Sequence, residues 1–364
     1  MTSTPVYHGM LSEIRQAIES GTLSDGQKIG TELEWSRKTG LSRVSVRRAI
    51  DVLVQEGLVE RRAGKGLYIT PDQIWTRQIQ LVVPGLSDGQ TQWARVAQGC
   101  RETCAENQAG MQIYDAAGSL DQDIRMIERL PESGMDGAVI AMLPHPKFSE
   151  AIYKLKNSRL PFVLVDDTLD QLDISSVMVD HYQGGYQVGE QLIKHGHRRI
   201  AFVGRMASRT VTQRIAGLRD AIADAGLPLD RGLLMDLEIN DPLSNWQPSI
   251  DRCTRILMKS KEPPTAIFYA SDDVAAHGYR TLKNLGLRIP EDISVVGFDG
   301  AQICQWLEPT LATMNQPCQE MGSKAVQILL AMLSGKPADQ TQQIILPPTW
   351  INGGSLAQVK AIPQ

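Results

Sequence analysis

The sequence predicts an α/β protein in two parts: a small α+β head, then a doubly wound, parallel-sheet body large enough for two lobes. Three observations lead there. At 364 residues the chain exceeds what one hydrophobic core usually supports. Its formal net charge of −4 is divided unevenly, with 10 basic and 8 acidic residues up to Thr70 (+2) and 27 basic against 33 acidic beyond it (−6). After Gln78, short apolar runs alternate with helical stretches, the pattern of parallel sheets with crossover helices.

Composition narrows the class. A hydrophobic content of 42% and a charged content of 21% fit a globular protein, and no segment approaches the roughly 18 unbroken apolar residues of a membrane span. No membrane partner is therefore expected. Met1 to Met10 holds no basic stretch followed by an apolar run, so the expected location is the cytoplasm. Cys100, Cys104, Cys253, Cys304 and Cys318 are odd in number and lack the tight pairing of a zinc site, which suits a reducing compartment. They are expected to act as small buried hydrophobes, with no metal and no cofactor.

In the head, Tyr7, Leu11, Ile14 and Ile18 form the stripe of an amphipathic helix that Gly21 to Gly26 stops. Thr31 and Glu34 have the spacing of a capping box, which predicts a short second helix from Glu32 to about Thr39, ended by a left-handed turn at Gly40. Ser42 caps a third helix whose Val46, Ala49, Ile50 and Leu53 face the core, leaving Arg43, Ser45 and Arg47 outward. Leu58 to Arg62, Ala63-Gly64-Lys65-Gly66 and Leu67 to Thr70 read as a hairpin with a glycine-rich tip. Arg37 to Lys65 holds eight basic residues against Asp51, Glu56 and Glu60, so a polyanion is the expected partner. Two helices across a glycine turn, with arginines opening the second, match a helix-turn-helix; an arginine fork pairs with guanine O6 and N7 in the major groove.

Leu41-Ser-Arg-Val-Ser-Val-Arg-Arg-Ala-Ile50, Leu53, Glu56-Gly-Leu58 and Gly64-Lys-Gly66 resemble the DNA-binding domain of GntR-type regulators. The resemblance covers residues 5 to 70 and implies DNA contacts from Arg43, Ser45, Arg47, Arg48 and the wing residues Gly64, Lys65 and Gly66. It departs from the family at Ile29-Gly-Thr-Glu32, where Leu-Pro-Ser-Glu is usual; the capping logic stays and the proline is lost.

In the body, strands are expected at Ile79 to Val83, Met111 to Asp115, Ala138 to Met142, Phe162 to Val165, Ile200 to Val203, Ala266 to Tyr269 and Ile293 to Val296. Ligands of open parallel sheets sit beyond the carboxyl ends of the strands. Asp166, Asp272 and Asp299 each follow such a strand, and carboxylates accept paired hydrogen bonds from vicinal hydroxyls, so the rim suits a polyhydroxylated ligand with Arg214 as a further donor.

Val179-Asp-His-Tyr-Gln-Gly-Gly185, His195-Gly-His-Arg-Arg-Ile-Ala-Phe-Val-Gly204, Arg214-Ile-Ala-Gly217, Ser271-Asp-Asp273 and Ile289-Pro-Glu-Asp-Ile-Ser-Val-Val-Gly-Phe-Asp299 resemble the LacI/GalR effector domain, in that family's order and spacing, from about residue 78 to 355. The resemblance implies a periplasmic-binding-protein-type fold, with a pocket between two lobes joined by three crossovers. It implies ligand contacts from Asp166, Arg214, Asp272 and Asp299, with Thr210 one turn before Arg214. Trp93 falls where an aromatic lines the pocket, a place equally suited to a core filler; Trp246 is a second aromatic candidate, and Asp88 reaches from the loop after the first strand. Ala141 stands where some sugar-responsive relatives have a polar residue, and Pro348-Thr-Trp-Ile-Asn352 lacks the family's arginine, so the ligand class stays open.

The expected organisation is a head at 1–70, a linker at 71–78, the effector-binding and dimerisation body at 79–355 and a tail at 356–364. The combination resembles the arabinose-responsive hybrid repressors. It implies a homodimeric regulator, a repressor by expectation, that binds double-stranded operator DNA and is induced by a small effector of carbohydrate type. A hinge helix is not expected, since Pro71 opens the linker. Two other classes share features with this chain. A solute-binding transport protein would suit the body, but the absence of a signal peptide and the basic head argue against it; for a carbohydrate-active enzyme, no nucleophile elbow, P-loop or metal-ligand spacing occurs, although rim carboxylates could in principle hydrolyse a glycoside.

Overall fold

The computed structural model describes the chain apart from residues 1–6, 20–21, 25, 56–57, 71–76, 87–90, 116–118, 142–144, 170–171, 239–244, 335–340 and 360–364. It divides into two compact units, Met1–Thr76 and Arg77–Gln364. Most of the expected linker, and Asp88, lie outside the described residues. Arg77 belongs to the second unit and Gln78 opens its first strand.

The first unit runs α1 (His8–Glu19), β1 (Lys28–Gly30), α2 (Glu32–Thr39), α3 (Arg43–Gln55), β2 (Val59–Arg62) and β3 (Gly66–Ile69). Helix α2 starts where the sequence says it should. The Thr31 hydroxyl accepts from the Glu34 N–H at 3.2 Å while the Glu34 carboxylate accepts from the Thr31 N–H at 2.8 Å, two otherwise orphaned donors satisfied reciprocally. Gly40 closes the helix at φ +71, the left-handed C-cap glycine supplies most cheaply. Ile14, Trp35, Val46, Ile50, Leu53 and Leu67 are buried in one core under the three-stranded sheet, ordered β1-β3-β2. Strand β1 was not expected; three residues are too few for periodicity to show. Gly30 there has φ +106, which proline cannot adopt, so the family's proline would not fit this backbone.

The second unit holds two six-stranded sheets. The first lobe is built from β4 (Gln78–Val83), α4 (Thr91–Glu106), β5 (Gly110–Asp115), α5 (Leu120–Arg129), β6 (Gly137–Ala141), α6 (Pro146–Lys156), β7 (Phe162–Val165) and β8 (Ser176–Val179). The chain then passes to the second lobe: α7 (His181–Lys194), β9 (Ile200–Gly204), α8 (Arg209–Asp224), β10 (Leu234–Asp236), α9 (Gln247–Met258), β11 (Ala266–Tyr269), α10 (Asp272–Asn284), β12 (Ser294–Asp299) and β13 (Ala312–Asn315). It returns for α11 (Cys318–Leu333) and β14 (Gln343–Leu346), then ends on β15 (Thr349–Ile351). The strand orders are β14-β8-β7-β6-β4-β5 and β10-β9-β11-β12-β13-β15, parallel except for β13 with β15. Three crossovers therefore join the lobes, after β8, β13 and β14.

Each sheet is apolar on both faces because helices cover both, so its strands read as unbroken Val, Ile and Phe runs. Ile79, Leu81, Val139 and Val163 pack under α4 and α11 in the first lobe, while Phe202, Phe268 and Phe298 pack under α7 and α8 in the second. The expected tail is part of this packing: Leu356 lies against the second-lobe core and the Val359 N–H donates to the His195 carbonyl at 2.9 Å. No helix among the described residues is long and apolar enough to cross a membrane.

Candidate functional site

In the first unit the structure gathers basic side chains on α3 and at the tip of the β2–β3 hairpin. Arg43, Arg47, Arg48 and Lys65 are exposed. Ser45 is half-buried: its N–H donates to the Ser42 hydroxyl at 3.1 Å, so Ser42 caps the helix, and the two hydroxyls lie 2.9 Å apart. Arg47 is engaged: its Nε donates to Glu32 at 3.2 Å. Arg61 bridges the same Glu32, at 3.3 Å, to Asp51 at 2.8 Å. Arg43, Arg48 and Lys65 make no ion pair among the described residues, and an exposed cation without a partner keeps its full attraction for an incoming phosphate. The Lys65 N–H closes the hairpin on the Arg62 carbonyl at 2.9 Å, between Gly64 at φ +70 and Gly66 at φ +111. A Cβ on Gly66 would stand 2.6 Å from the Gly30 carbonyl, so glycine is required for the wing to lie on β1.

In the second unit, Asp166, Arg214 and Asp299 come together beyond the carboxyl ends of β7 and β12. The helices that place them are in backbone contact. A Cβ on Gly217 would collide with the Tyr182 carbonyl and one on Gly185 with that of Arg214, so α8 lies directly on α7. That approach brings Arg214, in the second turn of α8, onto His181, the first residue of α7. Its Nε and Nη2 lie 3.3 and 3.2 Å from His181 Nδ1, its Nη1 donates to the Ala270 carbonyl, and its guanidinium stacks 3.7 Å from the Phe298 ring centroid. Arginine has no acceptor atom, so Nδ1 must accept and the imidazole proton must sit on Nε2. Nε2 points at Asp166, 3.7 Å away, and is buried without a hydrogen-bond partner.

The charges follow from this geometry. Burial, with Arg214 beside it, lowers the His181 pKa, so the ring is neutral. Burial pushes the Asp166 carboxyl up, but His181 and Arg214 together outweigh it and hold the group below its ordinary value. Asp299 goes the other way: burial raises it to about 8, with Arg214 opposing and Asp272 adding to the rise. Both residues occupy positive-φ backbone, Asp166 at +74 and Asp299 at +128. Such strain costs of order 1–3 kcal/mol and persists only where the surroundings over-determine it.

The other expected site residues fall elsewhere. Asp272 does not reach the rim. It is the first residue of α10, capped by Ser271, and it is fully buried, accepting from the Thr313 hydroxyl at 2.6 Å and the Ala301 N–H at 2.7 Å, so it anchors the loop behind Asp299. Asp299 is itself the last residue of β12, three beyond the expected strand end. Trp93 is 3% exposed, inside the core with Val96, Val83 and Met321, in its core-filling role. Thr210 is at the start of α8, 2.9 Å from the Ser208 hydroxyl, and Trp246 is the N-cap residue of α9, half-buried against the second-lobe core.

Sequence reasoning missed His181, Arg95 and Gln316. Gln316 donates to Asp299 Oδ1 at 2.6 Å, and Arg95 of α4 donates to the Asp299 carbonyl and, at 3.1 Å, to Asn315. Gln316 follows β13, whose Ala-Thr-Met-Asn run carries no unbroken apolar signal, so nothing in the sequence marks it as a strand-end residue. His181 stood inside a quoted motif without a role.

A winged helix-turn-helix with an exposed basic face, and a two-lobed body with strained aspartates at its strand ends, are the two parts of a ligand-linked transcriptional regulator. The chain is one: residues 7–69 match the bacterial regulatory proteins of the gntR family and residues 190–356 the periplasmic binding protein-like domain. It is 26% identical over 364 residues to an arabinose metabolism transcriptional repressor of Geobacillus stearothermophilus, with 98% of each chain covered. It is 28% identical to a ribose operon repressor of Haemophilus influenzae, covering 74% of this chain and 78% of that one. Its fold matches a LacI family transcriptional regulator from Enterococcus faecium solved with bound ribose, at a TM-score of 0.65 and 24% identity, over 78% of this chain and all of that one.

Proposed function

We propose that the protein is a cytoplasmic repressor that binds operator DNA as a homodimer through α3 and the wing, and releases it when a small carbohydrate enters the cleft between the lobes. The observation that carries the effector half is the grouping of Asp166, Arg214 and Asp299 beyond the strand ends of both lobes, with acceptors and a donor suited to vicinal hydroxyls. Likeness to the arabinose repressor along nearly its whole length supports a sugar as the ligand and repression as the output. The likeness to regulators throughout supports sensing without turnover.

For the DNA half, Arg43, Arg48 and Lys65 are the leading phosphate or base contacts because they are exposed and unpaired; Arg47 must leave Glu32 first. Dimerisation through the body sets two recognition helices on half-sites about one helical turn or a multiple of it apart. A ligand shifts DNA affinity only if it binds the competent and incompetent forms differently. The test is a thermal-shift screen of the full-length protein against pentoses, hexoses and disaccharides, followed by operator binding with and without each hit. The expected result is a sugar that raises the melting temperature and weakens operator binding. Sugar binding with no change in DNA affinity overturns the regulatory reading, and hydrolysis of a glycoside overturns the sensor.

A further inference from the structure

The cleft is bridged twice, by arginines pointing in opposite directions. Arg95, on α4 of the first lobe, donates to the Asp299 backbone carbonyl and to Asn315 Oδ1, both in the second lobe. Arg209, at the start of α8 in the second lobe, donates through Nη1 to Asp167 Oδ1 and to the Thr168 carbonyl of the first, each at 3.1 Å. Each bridge ends on the residue, or the neighbour of the residue, held at positive φ beyond a strand end: Asp299 in one case, Asp166 in the other.

We infer that Arg95 and Arg209 are positioning residues, a reciprocal clasp that sets how far the lobes close and how Asp166 and Asp299 face one another across the cleft. Several features support this. The Asp299 carbonyl accepts from Arg95 of one lobe and, at 3.2 Å, from the N–H of Gln316 at the second crossover, so the peptide carrying Asp299 is oriented from outside its own lobe. Arg95 Nε is shut away from solvent with no hydrogen-bond partner, a cost met only because the two Nη groups find acceptors across the cleft. Gln92, three residues earlier on α4, accepts from Gln316 at 3.3 Å and extends the same contact. On the other side, Asp167 is mostly buried, its side chain 14% exposed, while Arg209 is 36% exposed. A guanidinium placed between a carboxylate and a carbonyl has discrete made and broken arrangements rather than a continuum, as a closure switch requires.

Only the consequence for ligand fit rests on the cleft being the effector site; the clasp itself is testable with no ligand present. The experiment is double electron–electron resonance on the full-length protein with nitroxides at Y153C in α6 of the first lobe and A223C in α8 of the second, diluted with unlabelled protein so that only distances within one chain are read. Both positions are exposed, and the five native cysteines are buried. The parent protein is expected to give one narrow distance, and R95A/R209A a broader distribution moved to longer distances by several ångströms. An unchanged distribution in the double variant overturns the clasp. Should that variant fail to fold, R209A alone reads the same distance, since its side chain is partly exposed. Titration with L-arabinose and D-ribose then tests the consequence: for a sugar that binds the parent protein, R209A weakens it about tenfold, the factor by which the competent closed form is depleted. A lengthened distance with no sugar binding leaves the clasp standing and removes the effector reading instead.

Discussion

The two units of this protein treat charge in opposite ways. In the first, Arg43, Arg48 and Lys65 stand in water with no acidic partner among the described residues. In the second, Arg214, Asp272 and Asp299 are more than nine-tenths buried, and each is fixed by named hydrogen bonds. An exposed cation costs nothing to keep and acts at a distance screened only by salt, which suits attraction to a phosphate backbone. A buried polar or ionisable group must be oriented by its surroundings, so it selects a ligand by geometry. The contrast separates affinity for a polymer from recognition of a small molecule.

The largest effect is expected at Asp272, where the carboxylate serves two buried donors. Asp272→Ala strands the Thr313 hydroxyl and the Ala301 N–H and should cost about 3 kcal/mol of stability in urea unfolding. DNA affinity at temperatures where the variant is folded should stay within twofold of the parent. A loss below 1 kcal/mol would mean that the carboxylate is not holding the loop behind Asp299.

Next comes pH. The Asp299 carboxyl rises to about 8 in the folded protein from an ordinary value near 4 when unfolded. The folded state therefore binds the proton more tightly, and the stability this gives is complete below the unfolded value and lost as pH climbs through about 8. Across that window the slope from one such group approaches about 1.4 kcal/mol per pH unit at most. Asp299→Asn, a neutral mimic of the protonated form, should flatten the unfolding free energy between pH 5 and pH 8; equal slopes in parent and variant would remove the buried-acid description.

On the other side of the comparison, Arg43→Ala should cost about 1–3 kcal/mol in binding to a specific operator if the arginine pairs with guanine, and less on random DNA. Arg47→Ala should cost less than Arg43→Ala, because Arg47 must first give up Glu32. Fluorescence anisotropy at fixed salt measures both. Equal losses on specific and random duplexes would reassign Arg43 to the phosphates.

How far the sequence discloses each unit depends on how local the determining contacts are. Thr31 and Glu34 are three residues apart, and Gly40 stops its own helix, so α2 can be read from the chain directly. The Asp166 and Asp299 positions are nearly as local, being first polar residues beyond apolar strands. Asp272 comes one residue later, behind Ser271, which caps α10 at once, and its carboxyl is turned inward onto Thr313 and the Ala301 N–H. The remaining partners are distant: His181 and Arg214 are 33 residues apart, Arg214 and Ala270 are 56 apart, and Arg95 reaches a carbonyl 204 residues away. No periodicity records such pairs. Strand β13, Ala312–Asn315, was missed because threonine and asparagine interrupt its apolar run, and Gln316 was missed with it.

The smallest effect probes the local logic itself. Helix α2 has eight residues, and only Trp35 among them is buried, so packing stabilises it little and its cap counts for more. Thr31→Ala removes the acceptor for the Glu34 N–H and should cost about 1 kcal/mol, while Thr31→Ser, which keeps the hydroxyl, should cost only tenths. Because Glu32, the first residue of that helix, holds both Arg47 and Arg61, fraying at its start should also loosen those two pairs. Thr31→Ala is then expected to free Arg47 and reduce the difference between Arg43→Ala and Arg47→Ala in operator binding. If the stability loss appears but that difference does not narrow, Glu32 is positioned by the sheet rather than by the capping box, and the basic face is more rigidly built than its exposure suggests.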